Sequence, residues 1–230
     1  MNIKIILLTA LTLISLMTAG QQVNYETWKD EAKNNIRLLP EYGNAAKSKE
    51  QKEADEDFIK TSLSQDGTHE KASQHLVDLG FKYLYRQDLR TAMYRFNQAW
   101  LLDPKNENSY WGFGAVYFMF NDFTSAMKQY DKGLALNPKS SNILTDKATI
   151  HLTLFNTKGA TPDLDSATRI FKRSYGINPK NQNTLFKLSA CYFLSDDCEN
   201  AEKYFHECKL LGGQPITQEY ADALNKKCPK

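Results

Sequence analysis

Histidines and carboxylates are the side chains of this sequence best suited to catalysis or metal binding. The four histidines are scattered, and His69-Glu70 lacks the second histidine of a zinc-protease helix motif. The acidic run at 53–57 admits two explanations, paired carboxylates for acid–base chemistry or a solvated helix face, and charge runs favour the second. There is no phosphate loop, nucleophile elbow or dinucleotide fingerprint. These patterns predict a protein with no catalytic residues, no bound metal and no cofactor.

The first twenty residues have the three-part composition of a secretory signal peptide. Lys4 supplies a positive charge, residues 5–17 are almost wholly apolar, and small residues end the segment at Gly20. The apolar run is shorter than the roughly 20 residues that span a bilayer, although a retained anchor stays open as the alternative. We expect cleavage after Gly20 and a periplasmic or secreted protein. With no cysteine near the cut, a lipoprotein anchor is not expected.

Bulk composition limits the class of partner. The chain has 230 residues, of which 41% are hydrophobic and 24% are charged, as in soluble globular proteins. Its 29 basic and 27 acidic residues nearly cancel, which argues against a nucleic-acid partner. The sequence therefore predicts a globular protein large enough for a sizeable core.

An internal repeat organises most of the chain. Shifting the sequence by 34 residues superposes small, aromatic and proline positions on one another. The matching pairs are Gly80 and Gly114, Tyr83 and Tyr117, Ala92 and Ala126, Phe96 and Tyr130, and Pro104 and Pro138. Later copies follow at Ala167 with Phe171 and at Ala201 with Phe205. The step from Ala126 to Ala167 is 41 residues, whereas the step from Ala167 to Ala201 is again 34. That longer step indicates seven inserted residues in the third copy.

This pattern closely resembles the tetratricopeptide repeat (TPR) family, whose period is about 34 residues. The resemblance implies an all-α fold, a right-handed α-solenoid of helix-turn-helix repeats with a C-terminal capping helix. We expect a signal peptide at 1–20, an N-terminal helical or extended segment at 21–72, and the capping helix at 216–230. The four repeats are predicted at 73–106, 107–140, 141–181 and 182–215.

Local signals refine this arrangement. Within each repeat, small residues should let the first helix approach the second closely. These are Gly80, Gly114, Ala148 and Ser189. Residues two positions after the repeat-ending prolines are predicted helix N-caps, namely Asn106, Ser140 and Asn181. Ser48 and Gln51 match a capping box at the start of a helix, and the insertion predicts a longer loop at 157–162.

The resemblance also implies a binding surface. In TPR arrays the first helices of the repeats line a concave face, which here should be apolar and aromatic with few charges. Clustered exposed aromatic residues favour a contact surface for a protein or peptide. The predicted contact residues are Tyr85, Asn108, Trp111, Phe118, Asn142, Asn183 and Phe186. The alternative is that residues 21–66 of the same chain fill this groove.

The four cysteines lie within the last 40 residues. In an exported protein an even number of clustered cysteines favours a disulfide. Antiparallel packing of the second helix of the last repeat and the capping helix would bring Cys198 and Cys228 together, so we predict that they pair. Cys191 and Cys208 occupy core-like positions and are predicted to be buried thiols.

Taken together, these features predict a non-catalytic scaffold of a Gram-negative cell envelope that binds another protein or peptide in its groove. Two alternatives stay open from the sequence. One is a self-associating structural protein, and the other is a noncatalytic ligand-binding or regulatory subunit of an envelope enzyme. Neither the partner nor the oligomeric state follows from the residues.

Overall fold

The computed structural model describes residues 23–229, so the predicted signal peptide at 1–20 lies outside the described residues. Eleven α-helices occupy this part of the chain, and it contains no β-strand. The helices are α1 (Tyr25–Ala32), α2 (Lys49–Asp66), α3 (His69–Tyr85), α4 (Leu89–Leu102), α5 (Glu107–Met119), α6 (Phe123–Leu136), α7 (Ser141–Lys158), α8 (Thr161–Ile177), α9 (Gln182–Leu194), α10 (Cys198–Leu210) and α11 (Gln218–Lys227).

Eight of these helices form four consecutive hairpins that stack on one another. Each hairpin pairs neighbouring helices, α3 with α4, α5 with α6, α7 with α8, and α9 with α10. The first helices also contact one another in the order α3, α5, α7, α9 and so form a continuous layer. One hairpin cannot bury both of its faces, so the stack shares a core between neighbours. This is a helical solenoid, as the repeat predicts.

Close approach within a hairpin depends on small residues opposite aromatic rings. A Cβ atom added to Gly80 would lie 2.4 Å from Cε1 of Phe96, and one added to Gly114 would lie 2.2 Å from Cε1 of Tyr130. Both rings are almost fully buried. The absence of a side chain at these glycines therefore makes room for the ring that fills the space between the helices.

Three hairpin turns share a structural signal that the repeat comparison does not include. Gln87, Asn121 and Asp196 have φ angles of 62°, 59° and 61°, in the left-handed region. In each turn the next residue is an aspartate that accepts a backbone N–H bond and caps the following helix. Among the predicted N-caps, Asn106 and Asn181 make such bonds, but Ser140 makes no side-chain capping bond.

The insertion lengthens helices and does not form the longer loop predicted at 157–162. Helix α7 has 18 residues against 13 in α5, and α8 has 17 against 14 in α6. Only Gly159 and Ala160 separate α7 from α8, with Gly159 in the left-handed conformation. At about 1.5 Å per residue, the end of α7 projects roughly 7.5 Å beyond the matching end of α5. We call this projection the α7–α8 tip.

Two parts of the N-terminal segment contact the first hairpin: residues 36–44 pack against α4, and α2 packs against α3. Fully buried Asn97 on α4 accepts a bond from the Tyr42 N–H (3.1 Å) and donates to the carbonyls of Arg37 and Leu39 (both 2.9 Å). These bonds hold residues 41–44, all four of which have positive φ angles. A left-handed turn costs roughly 1–2 kcal/mol per non-glycine residue, so the contacts of Asn97 offset local strain.

Helix α11 covers the far end of the stack. Cys228 at its end forms a disulfide with Cys198 at the start of α10, and the intervening sequence separation is 30. The Tyr220 ring lies among aromatic residues of α9 and α10, and Leu224 is almost fully buried. Cys191 and Cys208 are free and buried. Within residues 23–229, no helix combines the length and apolar character needed to cross a membrane.

Candidate functional site

The first helices of the four hairpins together form a groove, and its main cavity measures about 460 Å³. We use "the groove" for this surface of α3, α5, α7 and α9. None of residues 23–66 lines the cavity, so this part of the N-terminal segment does not fill it. The lining side chains are Phe81, Leu84, Tyr85, Trp111, Ala115, Phe118, Met119, Tyr130, Asn142, Thr145, Asp146, Thr149, Asn178, Asn181, Asn183 and Lys187.

One end of the cavity is aromatic. The ring centroids of Phe81 and Trp111 lie 4.2 Å apart, and Phe81 also contacts Tyr85 at 6.2 Å. Tyr85 is 77% exposed, although it is a large aromatic residue at a helix end, and Met119 at the end of α5 is 38% exposed. Such clusters of exposed aromatic and methionine side chains supply the apolar contact area that binding surfaces use.

The other end carries two opposite charges. Half-buried Asp146 on α7 accepts a 2.6 Å hydrogen bond from the Trp111 indole N–H. Half-buried Lys187 on α9 donates to Thr149 Oγ1 at 2.8 Å. Burial raises the pKa of the Asp146 carboxyl, while the Lys187 charge and the bond from Trp111 lower it. Burial lowers the pKa of the Lys187 ammonium, against the opposing effect of Asp146.

Amide side chains line the edge of the charged end. Asn142 and Asn183 are exposed, and Asn181 Nδ2 donates to Asn142 Oδ1 at 3.3 Å. An amide both donates and accepts, so these groups can pair with an extended peptide backbone. Below them, the hydroxyls of Thr145, Ser174 and Thr184 bond to one another and satisfy the buried polar floor.

Comparison with known proteins yields matches among solved structures. PilF of Pseudomonas aeruginosa superposes with a TM-score of 0.57 at 19% sequence identity, covering 69% of this chain and 70% of PilF. TTC0263, a thermophilic TPR protein of Thermus thermophilus, superposes with a TM-score of 0.56 at 16% identity. The match covers 67% of this chain and 80% of TTC0263. The chain has the TPR fold. No family model and no curated protein matches the sequence.

The TPR groove contains five of the seven predicted contact residues, which are Tyr85, Trp111, Phe118, Asn142 and Asn183. Two predicted residues lie outside the cavity. Asn108 donates to Gln74 Oε1 at 3.2 Å, which links α5 to α3. The Phe186 ring packs edge-on against Tyr220 at 5.2 Å, so α11 covers it. Phe186 is thus part of the packing of the capping helix.

Two charged residues of the TPR groove were not among the predicted contact residues of this largely apolar surface. Asp146 and Lys187 each follow a predicted groove residue, Asn142 and Asn183, by four positions. Residues four apart lie on the same helix face, so this spacing was the available signal. Among residues 23–229, no cluster of three or more His, Cys, Asp or Glu side chains is placed to hold a metal ion.

Proposed function

We propose that this TPR protein is a non-catalytic scaffold of the bacterial cell envelope that binds a segment of another protein in its groove. The observation that carries the proposal is an open cavity with an exposed aromatic end and a polar end, left unfilled by the described part of the chain. Apolar contact area supplies affinity in such sites, and a few polar groups fix orientation.

Crosslinking in the host tests the groove directly. A photoactivatable phenylalanine analogue replaces Tyr85 at the exposed aromatic end of the cavity. The matched control carries the same analogue at Leu210, which is 87% exposed but lies outside the cavity. We expect a defined crosslinked protein from position 85 and none from position 210. Equal products from both positions, or none from 85, would contradict the proposal.

Substitutions in the groove provide an independent measurement. Tyr85→Ala removes an exposed ring and should leave the fold intact, whereas Trp111→Ala removes a ring that packs on Phe81 and binds Asp146. Both variants should lose partner capture, with circular dichroism confirming that helix content is retained. Unchanged capture in both folded variants would rule out the groove.

The envelope location rests on the sequence of the first twenty residues. Fractionation of host cells and N-terminal sequencing of the purified protein test it together. We expect the protein in the periplasmic or secreted fraction with residue 21 at its N-terminus. An intact Met1 in the cytoplasmic fraction would refute export while leaving the groove proposal in place.

A second candidate function follows from the cavity volume. About 460 Å³ falls within the range of roughly 300–1,000 Å³ that small-molecule sites occupy, which favours a carrier of a small ligand as the alternative. Native mass spectrometry of protein purified from its host distinguishes the two. A bound small molecule displaced by Tyr85→Ala would favour the carrier.

A further inference from the structure

A carboxylate at the charged end of the cavity contacts one of the rings of the aromatic end. Asp146 accepts from the indole of Trp111, and its other carboxylate oxygen has no hydrogen-bond partner among the described residues. Burial, and then the negative charge of Asp146, raise the pKa of both Tyr85 and Tyr130. The carboxylate therefore acts electrostatically on rings that line the same cavity.

The charge of Lys187 acts on this carboxylate and lowers its pKa, but within the described part of the chain it leaves the second carboxylate oxygen without a hydrogen bond. No ion pair in residues 23–229 includes Asp146, and Lys187 directs its ammonium to Thr149. Elsewhere in the same residues, seven aromatic rings have a Lys or Arg group within 6.0 Å, but none of these rings lines the cavity. The rings and the carboxylate of the groove are thus left available to an external group.

The type of external group follows from electrostatics. A neutral apolar ligand would remove water from Asp146 without replacing its lost hydrogen bonds. An anion at the free Asp146 oxygen would be repelled by the carboxylate, although Lys187 in the same cavity would attract it. A cation gains a charge-assisted hydrogen bond to the carboxylate and attraction to the faces of the surrounding rings. Lysine and arginine side chains also have an apolar stem long enough to contact the aromatic end.

We propose that the Asp146 pocket binds a lysine or arginine side chain of the partner segment, with the free Asp146 oxygen accepting its N–H and the groove rings packing along its stem. This inference rests on the proposed function, because it assigns the chemistry of the segment that enters the groove. Lys187 then lies where it can donate to a backbone carbonyl of the same segment.

Blocked amino acids test the pocket without knowledge of the partner. The probes are N-acetyl-lysine, N-acetyl-arginine, N-acetyl-norleucine and N-acetyl-glutamate N-methylamides, titrated at millimolar concentration into the purified full protein labelled with ¹⁵N. The readout is the indole N–H signal of Trp111, which is one of three tryptophans and is assigned with Trp111→Phe. We expect saturable shifts with lysine and arginine, and none with the norleucine or glutamate probe.

Asp146→Asn is the decisive variant. Asparagine keeps an acceptor for the Trp111 indole but removes the charge, and it should weaken lysine and arginine binding by about tenfold or more. Asp222→Asn is the matched control, since Asp222 is an exposed aspartate on α11 outside the cavity. It should bind like the wild type. The proposal would be overturned by equal binding of the lysine and norleucine probes, or by undiminished lysine and arginine binding to folded Asp146→Asn. It would also be overturned if the free diamine putrescine bound and the lysine and arginine probes did not.

The same variants separate this inference from the scaffold proposal. Crosslinking from position 85 is repeated in the Asp146→Asn and Asp222→Asn backgrounds. Loss of the crosslinked protein only with Asp146→Asn supports both proposals. Capture that persists with Asp146→Asn overturns the cation pocket and leaves the scaffold proposal standing. If no partner is captured at all, the scaffold proposal fails, and the titration alone decides whether the pocket binds cations.

Discussion

Removal of the Cys198–Cys228 disulfide should cost much of the stability of the C-terminal end. The bond ties the end of α11 to the start of α10, and α11 places Tyr220 and Leu224 against the last hairpin. The double variant Cys198→Ala/Cys228→Ala deletes the crosslink. Alanine adds no polar group, which matters at position 228 because that side chain is only 4% exposed. We expect lower stability because the unfolded chain gains conformational freedom.

The size of the effect follows from the length of the closed loop. With a sequence separation of 30 residues, the chain-entropy relation gives about 3.6 kcal/mol at 25 °C. Small domains are stable by only about 5–15 kcal/mol in total, so such a loss is easily measured. The disulfide should therefore contribute more to the free energy of unfolding than any single hydrogen bond of the capping helix.

Two probes of urea unfolding test this value and locate the change. Far-UV circular dichroism reports all helices, whereas tryptophan fluorescence reports the N-terminal segment and the first two hairpins, where Trp28, Trp100 and Trp111 lie. Repeat arrays unfold as coupled neighbouring units, so we expect the loss of unfolding free energy to appear in the transition detected by dichroism. Reductant should mimic the variant in the wild type and have no effect on the variant. A loss below about 1 kcal/mol with both probes would refute the loop-closure reasoning.

Four further substitutions address the segment on α4, the hairpin packing and the charge in the groove. Asn97→Ala loses three buried hydrogen bonds and should cost about 2–4 kcal/mol in urea unfolding. Gly114→Ala places a methyl group against Tyr130 and should lower the free energy of unfolding by about 1–2 kcal/mol. Gly176→Ala adds a Cβ with no atom outside its own helix within 4 Å, and it should raise the free energy of unfolding by up to about 1 kcal/mol. Burial raises the pKa of Asp146, so its ionised form lowers stability as the pH rises through the folded pKa. Asp146→Asn should therefore be at least as stable as wild type at pH 7, and thermal unfolding should show this advantage vanishing below the ordinary aspartate pKa of about 3.9.

Sequence periodicity was sufficient to predict the hairpins, because their packing uses short-range rules. Gly80 and Gly114 recur at the repeat period opposite Phe96 and Tyr130, and the structure places each ring against its glycine. The capping box at Ser48 is also formed, since its bonds join residues three apart. Such features depend on neighbouring residues in one helix or one hairpin, which a single sequence contains.

Features that depend on distant parts of the chain were not predictable in the same way. The length of the insertion follows from the spacing of the repeats, but whether it extends helices depends on how α7 and α8 continue to pack. Phe186 has the aromatic side chain and the repeat position expected of a groove residue, yet Tyr220 from α11 covers it. Asp146 and Lys187 resemble solvated surface charges in sequence, and only the stacking of α5, α7 and α9 brings them into the cavity.

The ends of the stacked helices form two long margins of the array, and the α7–α8 tip projects from one of them. It lies on the margin where the first helices α3 and α5 also end, with the exposed side chains of Tyr85 and Met119 at their last residues. A bulky folded domain placed flat along that margin would meet the tip before it reached these two residues. A thin, extended tail can pass beside the tip and enter the cavity. Under the proposed function, the shape of this margin favours an unstructured tail, not the surface of a globular domain, as the part of the partner that enters the groove.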